Sequence, residues 1–234
     1  MDQAASHKRA RQRHTNRVVY WLARMPLQFF LKFYFRASRV GYEQIPASGA
    51  AIIASNHRSF FDPFVIGTMS RRPIYYVAKS ELFRNPVLAW LISALGGFPV
   101  QRGIGDRDAI HTAEELLARG ELVLIFPEGT RTRPGPLAKP RRGVGRLALE
   151  SGAPVIPVAI IGTEDVRNGI LLRRRWVRVV AGKPLEFGGK QPSTPELAES
   201  VTARVWQDVA ELWESLGGAP APQDLEQPEL AGVA

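Results

Sequence analysis

His57 and Asp62, five positions apart, are the first residues in this chain whose types could do chemistry together. Imidazole exchanges a proton near neutral pH, and a carboxylate on one ring nitrogen leaves the other free to act as a base. On one continuous helix, residues five apart point about 140° away from each other. The pair meets only if the chain turns between them. Residues 50–54 read as a buried strand, Asn56 to Ser59 as a polar turn, and Asp62-Pro63 as a helix start. Asp62 is expected at the N-cap and Pro63 at the first helical position, where a missing N–H costs nothing. An ordinary turn histidine followed by an Asp-Pro cap would carry the same residues, so the rest of the chain has to decide.

A second polar cluster, Phe126-Pro127-Glu128-Gly129-Thr130-Arg131-Thr132, follows residues 122–126, the most continuous buried-strand signal in the sequence. Gly129 permits a positive φ or a close approach to a ligand. The planar fork of Arg131 matches phosphate oxygens. Glu128 could hold that arginine or accept from substrate hydroxyls. A turn with an incidental ion pair is the plain alternative.

These residues sit in a pattern of alternating elements. Strands are expected at 50–54, 74–78, 98–101, 122–126, 154–161 and 176–181, with a short edge strand at 39–42. Helices are expected at 63–69, 86–95, 106–119, 143–151 and 195–216, with Gly96-Gly97 closing the second of them. Alternation of this kind means an α/β fold with a mostly parallel central sheet flanked by helices, and sites at the carboxyl ends of strands. His57, Lys79, Arg102 and Glu128 each directly follow a strand.

Composition narrows the chemistry. Hydrophobic residues at 45% and charged residues at 23% are those of a globular protein with a large core. With Cys 0 there is no disulfide, no thiolate metal site and no cysteine nucleophile, so acyl chemistry would be direct or pass through oxygen or nitrogen. Four histidines without clustered spacing disfavour a metal hydrolase. A net charge of +9 predicts attraction to nucleic acid, acidic lipid or phosphorylated substrates.

The charge is dense at the N-terminus. Residues 7–14 form a basic arm, and residues 18–35 are rich in aromatic, Leu, Val and Met residues but broken by Arg24, Pro26, Gln28 and Lys32. No uncharged apolar run there is long enough to span a bilayer, and no A-x-A-like cleavage site follows. Pro26 should divide the segment into two short helices. Arg17 and Arg24 would share a face of the first, and Gln28, Lys32 and Arg36 a face of the second. A narrow basic stripe beside a wide aromatic one fits a helix pair in the headgroup region of an anionic membrane. The alternatives are a pair packed on the core with snorkelling cations, and a nucleic-acid-binding arm. The domain reading is therefore 1–38 arm and interfacial helix pair, 39–216 α/β domain, and 217–234 disordered tail.

Asn56-His57, four residues and Asp62, with Phe-Pro-Glu-Gly-Thr-Arg some way downstream, resemble the glycerolipid acyltransferase family typified by 1-acylglycerol-3-phosphate O-acyltransferase. Two further blocks fit in the same order: Lys79-Ser80-Glu81-Leu82 leading to Gly96-Gly97-Phe98-Pro99-Val100-Gln101-Arg102, and Val155-Ile156-Pro157-Val158-Ala159. The resemblance covers residues 39–185. It implies that His57 is the general base and Asp62 its orienting carboxylate. It also implies that Arg102, Glu128, Gly129, Thr130 and Arg131 bind the acceptor and its phosphate, and that Lys79 meets phosphate or the tetrahedral oxyanion. No bound cofactor and no metal are implied. The co-substrate would be acyl-CoA or acyl-ACP, the acceptor lysophosphatidate, and the partners an anionic membrane surface and acyl carrier protein, with no nucleic acid. The expected place is the cytoplasmic face of the cell membrane, peripheral or monotopic. Another lysophospholipid, a glycolipid or an aminoacyl lipid is the alternative acceptor. A non-catalytic basic protein that binds membranes or nucleic acid is the alternative of a different class.

Overall fold

Among the described residues the chain begins with helix α1 (Arg17–Tyr34), with Pro26 inside it. The expected division at Pro26 does not occur, for a tertiary reason. Tyr20, Arg24, Leu31 and Phe35 are all buried, so the inner face of α1 packs continuously across the proline. The carbonyl that Pro26 cannot bond belongs to Leu22, itself an exposed residue. The basic stripes are split: Lys32 and Arg36 are exposed, as expected. Arg24 and Gln28 face the protein, where the Arg24 guanidinium donates to the carbonyls of Gly67 and Thr68 at 2.9 and 3.0 Å. Gln28 Nε2 donates to Thr68 O at 3.2 Å. The outward face carries Val18, Trp21, Leu22, Met25, Phe29 and Phe33, all exposed. The computed structural model describes residues 17–100, 107–132, 135–164, 167–168, 171–172 and 176–220; the basic arm at 7–14, the side chain of Arg17 and the tail beyond 220 lie outside them.

Edge strand β1 (Ser38–Val40) leads through a short 3-10 turn to β2 (Ala51–Ser55), buried at every position. Then follow α2 (Asp62–Gly67), β3 (Ile74–Lys79), α3 (Pro86–Ala94) and β4 (Gly97–Val100). Gly96 closes α3 at φ 89°, as a C′ glycine does, whereas Gly97 is already in the strand. Helix α4 (Arg107–Ala118), β5 (Leu122–Ile125), α5 (Gly143–Ser151) and β6 (Val155–Ile161) continue the alternation. A two-residue pair, β7 (Arg167–Asn168) and β8 (Leu171–Leu172), precedes β9 (Arg178–Ala181) and the last helix, α6 (Pro195–Ser215).

The seven-stranded sheet has the order β1-β9-β6-β2-β5-β3-β4, and only the β6–β9 pairing is antiparallel. Alternation along β2 divides the core. Ala51 and Ile53 pack with Leu31 of α1 and Phe35 just after it, Val65 and Ile66 of α2, and Ala89 and Ile92 of α3. Ile52 and Ala54 face α4, α5 and α6. Both faces are covered, as a parallel sheet requires. The arrangement places β2 between β5 and β6, so three strand ends open side by side. Among the described residues no helix is long and apolar enough to cross a membrane.

Strand β6 leaves the sheet through Gly162, at φ 91°, where a Cβ would stand 2.1 Å from the carbonyl oxygen of Trp176. Gly162→Ala should therefore destabilise the fold by about 1–3 kcal/mol, seen as a lower Tm in thermal unfolding.

Candidate active site

The strand-to-helix turn after β2 is built by one carboxylate. Asp62 is fully buried, and its Oδ2 accepts from the backbone N–H groups of Arg58 and Ser59, both at 2.7 Å. The same oxygen lies 2.8 Å from His57 Nδ1. Oδ1 accepts from the hydroxyl of Thr163 at 2.5 Å. Asp62 is therefore not the helix N-cap. Phe61 holds that position without a side-chain bond, and Asp62 is the first helical residue. Its carboxylate turns back because two adjacent N–H groups and an imidazole offer more than the single amide a cap would satisfy.

The histidine is fixed on every side. Its ring stacks on Phe126 with centroids 4.0 Å apart and planes 16° from parallel. Its backbone N–H donates to Glu128 Oε1 at 2.7 Å. Its carbonyl accepts from Thr132 N at 2.9 Å and Thr132 Oγ1 at 3.2 Å. One residue earlier, the side-chain amide of Asn56 makes two bonds to the backbone of Ile160, each 2.9 Å, and so joins the ends of β2 and β6. With Nδ1 on the carboxylate the neutral ring carries its proton there. Nε2 is then an acceptor, with no hydrogen-bond partner among the described residues. This is the arrangement of a general base with an orienting carboxylate.

The other expected site residues divide. Glu128 is buried, and its second oxygen accepts from Ala138 N at 3.3 Å. Both of its oxygens thus hold backbone amides, one of them that of His57, in place of the expected hold on Arg131. Gly129 does take a positive φ, 70°, and a Cβ there would meet the Arg141 side chain at 2.9 Å. Thr130 and Arg131 are exposed on the same turn. Lys79 ends β3, two strands from β2, and its Nζ is 2.9 Å from Glu81. That ammonium holds the Glu81 carboxyl below the usual carboxylate range. Arg102 lies outside the described residues.

Several site residues carry no sequence signal. Thr163 lies 101 positions from Asp62, and Phe126, which opens the second motif, carries no mark of its stacking on His57. Arg58 is buried, donates to the carbonyls of Gly135 and Pro136 at 2.7 and 3.1 Å, and sits 4.7 Å from the centre of the Trp213 ring. It ties the turn to the following loop and to α6. An apolar cavity of about 290 Å³ lies between α1, α2 and α3, lined among others by Tyr20, Leu27, Phe61, Phe64 and Leu91. Tyr76 closes one wall, and burial pushes its hydroxyl well above the ordinary tyrosine range.

Residues 37–161 match the family profile described as Acyltransferase. The chain is similar to a 1-acyl-sn-glycerol-3-phosphate acyltransferase of Bacillus subtilis, 32% identical over 174 residues, covering 73% of this chain and 84% of that one. A protein of the same name from Pseudomonas aeruginosa is 30% identical, covering 82% of this chain and 74% of that one. The chloroplastic BAT2 enzyme of Brassica napus is 28% identical over 76% of this chain, which spans about half of its length, 53%. The fold is that of the crystal structure of the 1-acyl-sn-glycerophosphate acyltransferase PlsC of Thermotoga maritima, with TM-score 0.69 at 24% identity, covering 94% of this chain and 90% of that one.

Asp62→Asn isolates the charge of the carboxylate. The N–H groups of Arg58 and Ser59 keep the amide oxygen on their side, and the Thr163 hydroxyl can rotate to accept from the new NH2. The turn should survive, with Tm changed by a few degrees, while turnover falls by roughly 10²–10⁴-fold. Thermal unfolding and steady-state rates, measured side by side, check it.

Proposed function

This chain belongs to the acyltransferase family, and on that premise we infer that it moves a fatty acyl group from an acyl thioester to the sn-2 hydroxyl of 1-acyl-glycerol-3-phosphate. The observation that carries this reading is the His57 ring, its Nδ1 on Asp62 at 2.8 Å and its Nε2 without a partner among the described residues. The relatives' names supply the acceptor, lysophosphatidate. His57 Nε2 takes the proton of the acceptor hydroxyl, and the oxygen attacks the thioester carbonyl. The tetrahedral intermediate expels the thiolate, which recovers the proton from the imidazolium. Asp62 stabilises that imidazolium while it exists. Nothing in the sequence offers a cysteine for an acyl-enzyme, and direct transfer between two bound substrates needs none.

Arg131, exposed on the turn beside His57, is suited to the acceptor's phosphate, and Arg102 joins it by family resemblance. The cavity between α1, α2 and α3 is apolar and borders the helix that Asp62 begins, which suits an acyl chain. The outward face of α1, with Leu22 69% and Phe29 66% exposed, suits burial among lipid tails at the cytoplasmic face of the cell membrane. Both lipid substrates would then reach the site from the bilayer. Holding them there supplies much of the rate beyond what a positioned base contributes.

The test is a panel. Purified protein is given mixed acyl-CoA and acyl-ACP donors with several lysolipids, and products are identified by mass. Phosphatidate should dominate, and His57→Ala should lower its formation by roughly 10²–10⁴-fold. Product from another acceptor only would move the reading to that lipid. Unchanged turnover in His57→Ala would remove the base.

A further inference from the structure

Helix α2 is held at both ends by side chains from elsewhere. At its start Asp62 is locked into the His57 turn. At its end the carbonyls of Gly67 and Thr68 lack partners within the helix, as last-turn carbonyls do. Arg24 supplies them, Nη1 to Gly67 O at 2.9 Å and Nη2 to Thr68 O at 3.0 Å. Thr68 O also receives Gln28 Nε2 at 3.2 Å and a bond from Arg39 Nη1. Three side chains from α1 and β1 thus converge on the last turn of a six-residue helix.

Arg24 is 6% exposed, and an arginine buried without good bonds is costly. A role in lipid attraction would place its charge outward. Its strong bonds instead go to α2, and its outer side meets Trp21, with Cζ 4.9 Å from the ring centroid. Trp21 belongs to the exposed face. A continuous path therefore runs from an outward ring through the guanidinium to the end of α2, and from the start of α2 to the imidazole. Six residues span about 9 Å, roughly one and two-thirds turns, too short to absorb a shift by bending. Displacement at Thr68 is passed to Asp62.

We propose that Arg24 is a positioning residue, which docks α1 on the end of α2 and thereby sets the Asp62–His57 pair. This rests on the acyl-transfer reading of the His57 site. Misplacement of a base by about 1 Å costs on the order of 10²-fold in rate.

The full chain is compared with Arg24→Ala, Arg24→Lys and His57→Ala. Three measurements are made: flotation with vesicles of phosphatidylcholine and phosphatidylglycerol, hydrogen exchange of peptides covering 56–69, and kcat and KM with palmitoyl-CoA and lysophosphatidate. Arg24→Ala should float like the parent and exchange faster in 56–69, while β2, β5 and β6 stay protected. Its kcat should fall roughly 10–100-fold with little change in KM. Arg24→Lys, which keeps a cationic donor for one carbonyl, should recover part of kcat and of the protection. Unchanged exchange at 56–69 in Arg24→Ala, or an unchanged kcat, overturns the proposal. Loss of flotation in step with kcat also overturns it, since Arg24 would then serve attachment alone. His57→Ala keeps the two claims apart: if it retains turnover the base assignment falls, and the exchange comparison still decides whether Arg24 holds α2.

Discussion

The buried carboxylate of Asp62 is the interaction on which the rest depends. With no exposed surface it accepts four hydrogen bonds, from two backbone N–H groups, an imidazole and a hydroxyl. A charge so placed is tolerable only because each bond is made, and removing any one leaves an unsatisfied buried acceptor or donor. The turn, the ring and the end of β6 are therefore mutually dependent. Glu128 repeats the device one strand over, holding the N–H of His57 and the N–H of Ala138. Two buried carboxylates, each spent on backbone, make the turn rigid while Nε2 stays open. That is the preorganisation a base needs.

The same economy appears at the far end of α2. A short helix has little stability of its own, and its dangling carbonyls are met by Arg24, Gln28 and Arg39. This turns α1 around. Arg24 and Gln28 face the protein, Lys32 stays exposed, and Trp21, Phe29, Phe30 and Phe33 face out. An amphipathic helix normally presents the opposite arrangement to water, so the exposed face of α1 is suited to a lipid surface. The apolar cavity lies between α1, α2 and α3, lined in part by Phe61 beside the His57 turn.

Local features were legible in the sequence, and long-range ones were not. The alternation of strands and helices reproduces the observed elements within a residue or two at most ends, because strands buried on both faces and glycine-closed helices leave local marks. The pairing of His57 with Asp62 is legible from the strand, turn and helix-start pattern between them together with the downstream Phe-Pro-Glu-Gly-Thr-Arg block, since spacing alone also fits an ordinary turn and cap. Thr163 and Ile160 could not be found, because their partners are 101 and 104 positions away and the strand order β6-β2-β5 decides the meeting. Two local rules failed for one reason. Pro26 was expected to break a helix and Arg24 to face lipid. Spacing shows which residues share a face of α1 but not which face meets the core when both are apolar. The cap at Asp62 shows the converse: the residue type was right for a cap, and a better set of donors took its oxygens.

The account stands most directly on the protonation of one ring. Nitrogen-detected NMR of selectively 15N-histidine-labelled protein near neutral pH, with His57 assigned by its Ala variant, reads both ring nitrogens. In the neutral ring the geometry predicts the proton on Nδ1, in its bond to Asp62, and an unprotonated Nε2 with the shift of a pyridine-type nitrogen. A spectrum with the proton on Nε2 and none on Nδ1 would contradict it, because the lone pair of a ring in that form faces Asp62 and not a substrate hydroxyl.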